Sequence, residues 1–268
     1  GDRLPAQQPL PAAGVPVRMQ MGLDGHGVEY RKADALAQSP LQRDVEEWAL
    51  DGPVMHHRNA AVQVAEQGIA IFNDVFCEKG YFNIDQSERI LKKGLEYGLL
   101  PRIHSDEFNN LGGTKLAGRL KLISADHLMN IEKDDIDIMA DSNTKAVLLP
   151  GTTFFLGHSN YAPYHKLKEA GIEVAIATDY NPGSCNIQSM IFIITLATIF
   201  MKMDIIDALC SSTYIPSKLL NVDNICGSIE EGKSADIVIW DIYEPIQIPY
   251  HFSTSPIKSV IKSGKIIF

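Results

Sequence analysis

From residue 69 onward the sequence predicts an α/β fold of parallel strands and crossover helices, of the (β/α) barrel kind. Short apolar runs there alternate with amphipathic stretches, as parallel strands and their helices do. Three of the runs end in residues that bind metals or move protons. Neither GxGxxG nor GxxxxGKS/T follows the first run, which weakens a nucleotide-binding open sheet. In a barrel the carboxyl ends of the strands share one face and aim at a common centre, so residues roughly 75 positions apart can meet there.

The expected strands are 69–76, 100–104, 122–126, 146–150 and 174–178, with helices between them. The first helix has the plainest ends: Asp85 as N-cap, Glu88 three residues on as in a capping box, and Gly98 after the last turn. The run 190–201 (MIFIITLATIFM) is shorter than the roughly 20 apolar residues that cross a bilayer and reads as a buried helix. Segments 237–240 and 260–268 read as strands of a separate small β unit. Ahead of all this, the first 60 residues contain no isoleucine and one lysine, Lys32, with repeated Pro, Gln and Ala. Residues 1–68 are therefore set apart as a coil and helical segment of atypical composition, helical only at 33–50 and 59–67. The expected division is 1–68, a barrel part 69–225 and C-terminal strands 226–268.

Composition narrows the function classes. With 268 residues, 45% hydrophobic and 21% charged, the chain is ordinary for a soluble globular protein with one sizeable core. A net charge of -9 and no basic cluster argue against nucleic acid as partner. Cys77, Cys185, Cys210 and Cys226 are too scattered for a disulfide scaffold, which suits a reducing, cytoplasmic setting. Nothing near the first residues has the apolar core of a signal peptide.

The chemistry sits at strand ends: His104-Ser105-Asp106-Glu107 after the second strand, Asp126-His127 at the third, and Asp179 after the fifth. A hydrolytic metal ion needs nitrogen and oxygen donors, an open position for water and a nearby acid or base; His104, Asp179, Glu107 and His127 supply those types. Singly, each has a plainer reading: a hydrogen-bonded strand-end His, a turn-capping Asp179, solvated loop charges at Asp106 and Glu107. Their convergence favours a site. The turns Asp179-Tyr180-Asn181-Pro182-Gly183-Ser184 and Leu149-Pro150-Gly151-Thr152-Thr153 are expected to expose backbone groups to a ligand, or to be plain βα turns. His56-His57 is a poor chelate because adjacent side chains diverge. His26, His158, His165 and His251 read as surface or packing residues.

In order and spacing, VFCEKGYF, HSDEFNNLGG, SADHL, AVLLPGTTFFLG, ATDYNPGS and GSIEEGKSADIVIWD resemble the imidazolonepropionases, metal-dependent amidohydrolases. The resemblance covers roughly 69–268 and implies an amidohydrolase-type (β/α)8 TIM barrel, here incomplete with strands 4–8, and the remnant of a small β-sandwich domain at the C-terminal end. It implies that His104 and Asp179 bind one zinc or iron ion. Glu107 and His127 correspond to the proton-handling and water-orienting residues, and Asn181 and Gly183 to substrate-contacting positions. The implied reaction opens the small molecule 4-imidazolone-5-propanoate to N-formimino-L-glutamate in histidine degradation. The family's His-x-His metal pair has no counterpart, since no such tripeptide occurs in the chain. Two other readings therefore stay open: a related deaminase or cyclic amidase, and an inactive fragment whose open barrel edge pairs with another chain, a homo-oligomer included.

Overall fold

A computed structural model describes residues 68–268. The readings made for residues 1–67, including the helices at 33–50 and 59–67 and the pair His56-His57, lie outside the described residues.

The α/β expectation holds. Strands β1 (Phe72–Asn73), β2 (Phe76–Cys77), β3 (Leu100–Ser105), β4 (Ser124–His127), β5 (Lys145–Leu148) and β6 (Val174–Ile176) form one parallel sheet, in the order β1-β3-β4-β5-β6 with β2 also on β3. Helices α1 (Ile84–Glu96), α2 (Gly113–Leu120), α3 (Lys133–Ser142), α4 (Pro150–Phe155) and α5 (Tyr164–Glu169) cross between them. The register Phe72 opposite Leu100 and Phe76 opposite His104 shows that β1 and β2 are one strand path interrupted at Asp74 and Val75. Among the described residues the sheet does not close into a full barrel: the β1/β2 path and β6 are its two edges.

The first helix departs from expectation at its start. Asn83, not Asp85, is the N-cap: it is extended, its side chain accepts from Gln86 N, and the Gln86 side chain accepts from Asn83 N. Asp85 lies inside the first turn, and Glu88 is drawn outward to Lys92 and Arg119. Gly98 does follow the last turn, at φ 76°.

Apolar faces of the helices cover the sheet around Leu91, Ile103, Leu116, Leu128, Met139, Leu148 and Leu167, all fully buried. After β6 come α6 (Met190–Ile199), α7 (Ile205–Ser212) and α8 (Tyr214–Leu219). Helix α6 is buried through Ile193, Ile194, Leu196 and Ala197, while Ile199 and Phe200 reach solvent. No helix among the described residues is long and apolar enough to cross a membrane.

The C-terminal strands form a three-stranded antiparallel sheet, β7 (Ile237–Trp240), β8 (Ile257–Lys262) and β9 (Lys265–Ile266). The run 260–268 is thus two strands, because Ser263 and Gly264, both at positive φ, make the tight turn of a hairpin. Helix α9 (Gln247–Tyr250), between β7 and β8, anchors this region through Ile248, which is fully buried.

Candidate active site

Parallel register brings the polar strand ends together. His104 lies on β3 opposite Asp126, and Ser105 lies opposite His127, the last residue of β4. The rings of His104 and His127 have centroids 5.3 Å apart. Asp179 arrives from the loop after β6, and His104, His127 and Asp179 offer ligand atoms that all lie within 4.8 Å of one another. The Glu107 carboxylate is 3.5 Å from His127 Nε2, and Asp179 Oδ2 is 4.0 Å from the same atom. The four residues read from strand ends do converge.

The backbone is bent to aim them. Asp106, His127, Leu128 and Asp179 all have positive φ, between 52° and 78°, which L side chains adopt only at a cost. Asp106 and Glu107 are buried, not solvated loop charges. Their segment is held from both sides. The buried Glu78 carboxylate accepts from Phe108 N at 2.9 Å, from Asn109 N at 3.2 Å and from Asn109 Nδ2 at 2.8 Å. From the other side Asn130 Nδ2 donates to the Glu107 carbonyl at 2.6 Å.

Segment 149–153 is not an open loop. Pro150 starts α4, and residues 150–153 are buried. A side chain at Gly151 would meet Ile193 Cδ1 at 2.8 Å and both Cys185 Sγ and Thr178 O at 3.1 Å; its absence lets the helix start press against the loop after β6. That contact lets Thr152 Oγ1 donate to Asp179 Oδ2.

Below this layer lies a second set of polar contacts. Arg102 and Ser124 both donate to Asp126, whose carboxyl is fully buried. The carboxylate of Asp74, at the break between β1 and β2, lies 2.9 Å from His104 Nδ1. Burial disfavours a charged His104 ring, but the Asp74 hydrogen bond and charge, with Asp126 and Asp179 behind, push its pKa up to about 9. His127 goes the other way: burial first, then the charge of His104, push it down to about 3, so it is neutral at pH 7. Burial, then the charge of Asp179, raises Glu107 to about 7.

The donor set fits one divalent cation. His104 and Asp179 supply one imidazole and one carboxylate, a donor number that leaves room for water, and His127 turns Nε2 toward the same place, 4.0 Å from Asp179 Oδ2.

Asn181 and Gly183 share the loop that carries Asp179. The Asn181 side chain is engaged within that loop: Oδ1 accepts from Gly183 N and Ser184 N, both at 2.8 Å, and Nδ2 donates to the Asp179 carbonyl at 2.8 Å. His158 packs its ring on Phe108, and His165 Nε2 bonds the Lys202 carbonyl, as surface and packing residues do. Asp74, Glu78 and Asn130 were missed from sequence, as was the bond from the Thr152 side chain to Asp179, although Thr152 lies in a turn singled out there; an acidic residue inside the first apolar run was the available signal for Asp74.

The amidohydrolase family model matches residues 102–267, which takes in every residue of this cluster except Asp74 and Glu78. The chain belongs to the amidohydrolase family. It is 42% identical over 204 residues to an imidazolonepropionase of Alkaliphilus oremlandii, covering 76% of this chain and 48% of that protein. It is 38% identical over 206 residues to one of Bacillus mycoides, covering 77% and 49%. The chain thus spans about half the length of these curated relatives. Among solved structures, a zinc-bound adenosine deaminase from Xanthomonas campestris superposes with a TM-score of 0.63 at 20% identity, covering 78% of this chain and 55% of that one. A Xaa-Pro dipeptidase with bound methionine gives 0.64 at 20%, covering 80% and 58%. At that identity the likeness is one of amidohydrolase fold.

Proposed function

We propose that the chain carries the chemistry of an imidazolonepropionase: hydrolytic opening of the cyclic amide of 4-imidazolone-5-propanoate to N-formimino-L-glutamate, a step of histidine degradation. The observation that carries this reading is the convergence of His104, His127 and Asp179 with Glu107 held against His127. The imidazolonepropionase relatives support the choice of substrate. Cytoplasm is the compartment the reading implies, and it suits four unpaired thiols.

His104 and Asp179 would hold a zinc or iron ion, with Thr152 steadying the Asp179 carboxylate. Such an ion supplies Lewis acidity, acidifying water and polarising the ring carbonyl. Glu107, with a pKa near 7, stands between its two protonation forms at neutral pH; it takes a proton from the attacking water and returns it to the ring nitrogen that leaves. His127 stays neutral and orients water through Nε2 without adding charge. The loop braced by Asn181 presents Gly183 to the substrate.

The test is turnover of 4-imidazolone-5-propanoate by the purified chain loaded with zinc or with iron, with N-formimino-L-glutamate identified as product. No product from a metal-loaded chain sinks the reading. One observation favours a second, non-catalytic reading: no His-x-His occurs anywhere in the sequence. That reading expects zinc bound without turnover and more weakly than nanomolar.

A further inference from the structure

We propose that Asp74 is a positioning residue that fixes the proton of His104 on Nδ1 and so presents Nε2 of that ring to the cation; the metal half of this rests on the function proposed above. A carboxylate only accepts, and both Asp74 oxygens are within 3.0 Å of His104 Nδ1, so the ring nitrogen must be the donor. The partnership is built into the strand. Phe76 lies opposite His104, which sets Asp74 two residues earlier along the neighbouring path, one layer below the ring. The regular ladder is interrupted there, between β1 and β2, and Asp74 Oδ1 also accepts from Val75 N at 2.7 Å, which orients the carboxylate. The other acid of this layer, Asp126, is occupied by Arg102 and Ser124, leaving Asp74 as the acid that bonds the ring. His127 differs: its Nδ1 is buried without a partner. Of the two imidazoles, His104 has the outer carboxylate that fixes the tautomer of metal-binding histidines.

Asp74 is partly exposed and Asn has the same shape, so Asp74→Asn is expected to fold. Zinc affinity, measured by competition with a chromophoric chelator, should fall about 10- to 100-fold in Asp74→Asn and recover in Asp74→Glu. In parallel, the imidazole ¹⁵N resonances of metal-free chain are read at a pH high enough for a neutral ring. They should place the His104 proton on Nδ1 in the wild type and move it toward Nε2 in Asp74→Asn. Unchanged zinc affinity in Asp74→Asn, or a fall with no movement of the proton, overturns the proposal. If the wild-type chain binds no zinc, the metal reading fails by itself. The resonances then decide the role of Asp74: a wild-type proton on Nε2 overturns it, and one on Nδ1 that Asp74→Asn displaces upholds it.

Discussion

The two ends of the parallel strands use the same unusual backbone for opposite purposes. Before β3, β4, β5 and β6 the chain leaves a helix through a left-handed residue: Gly98, Lys121, Asn143 and Gly171, all exposed. These are ordinary helix exits, where Gly and Asn are favoured. At or just beyond the carboxyl ends of β3, β4 and β6 the left-handed residues are Asp106, His127 with Leu128, and Asp179, of which the first three are buried. For a non-glycine this state costs roughly 1 to 2 kcal/mol, and here it aims side chains, not just the chain. One end reverses direction; the other brings His104, Glu107, His127 and Asp179 together.

The largest effect that would sharpen this contrast is the loss of the ion itself. His104→Ala should take zinc or iron content from about one per chain to background in elemental analysis. Equal metal content in the variant would mean that the bent strand ends do not form the cation site. Next comes Glu107→Gln, which should keep the metal and lower turnover of 4-imidazolone-5-propanoate by about 10²- to 10⁴-fold. Because burial already disfavours the Glu107 charge, the same variant should be at least as stable to heat as the wild type near pH 8; a clear drop would make Glu107 a structural residue.

Stability against pH tests the electrostatics of the site end. His104 is raised from 6.5 to about 9, so its contribution to folding is full below pH 6.5 and is lost as pH rises through 9. Glu107, also raised, loses its contribution as pH rises through about 7. His127 is lowered to about 3, and its opposing effect is complete by about pH 6.5. From pH 6.5 to 9 the resolved shifts of the site therefore act in one direction. Metal-free chain should become less stable over that window by no more than about 3 kcal/mol, measured by urea denaturation. Asp74→Asn should flatten the slope; a chain that gains stability over the window contradicts the Asp74–His104 pair.

Much of the candidate site was legible because it lies on strands whose period announces them. His104 and His127 are at the ends of apolar runs, and Asp179 and Glu107 follow such runs within a few residues, so a parallel fold was enough to gather them. The strand paths emerged for the same reason, while the N-cap of α1 fell two residues early, where Asn83 and Gln86 outcompete Asp85 and Glu88. The supporting residues were not legible. Asp74 and His104 are 30 residues apart, Glu78 and Asn109 are 31, and Thr152 and Asp179 are 27, each close to the length of one βα unit. Such contacts exist only once neighbouring units lie side by side; Asp74 stands out as an acid inside an apolar run, but nothing local names its partner, and Glu78 and Thr152 carry no local pattern at all.

The smallest effect probes the other end of the strands. Lys121 ends α2 at φ 53°, exposed, where its backbone N–H bonds the carbonyls of Ala117 and Gly118. Glycine there keeps those bonds and relieves the left-handed state of a residue with a Cβ, against a larger loss of chain freedom on folding. Lys121→Gly should therefore stabilise the chain by a few tenths to about 1 kcal/mol, read from the urea midpoint at constant slope. Leu128 has nearly the same φ, yet its side chain is fully buried in the core, so glycine there should destabilise by several times that amount. If both substitutions shifted the midpoint alike, the Leu128 side chain would add nothing to its backbone state, and the contrast between the two strand ends would fail.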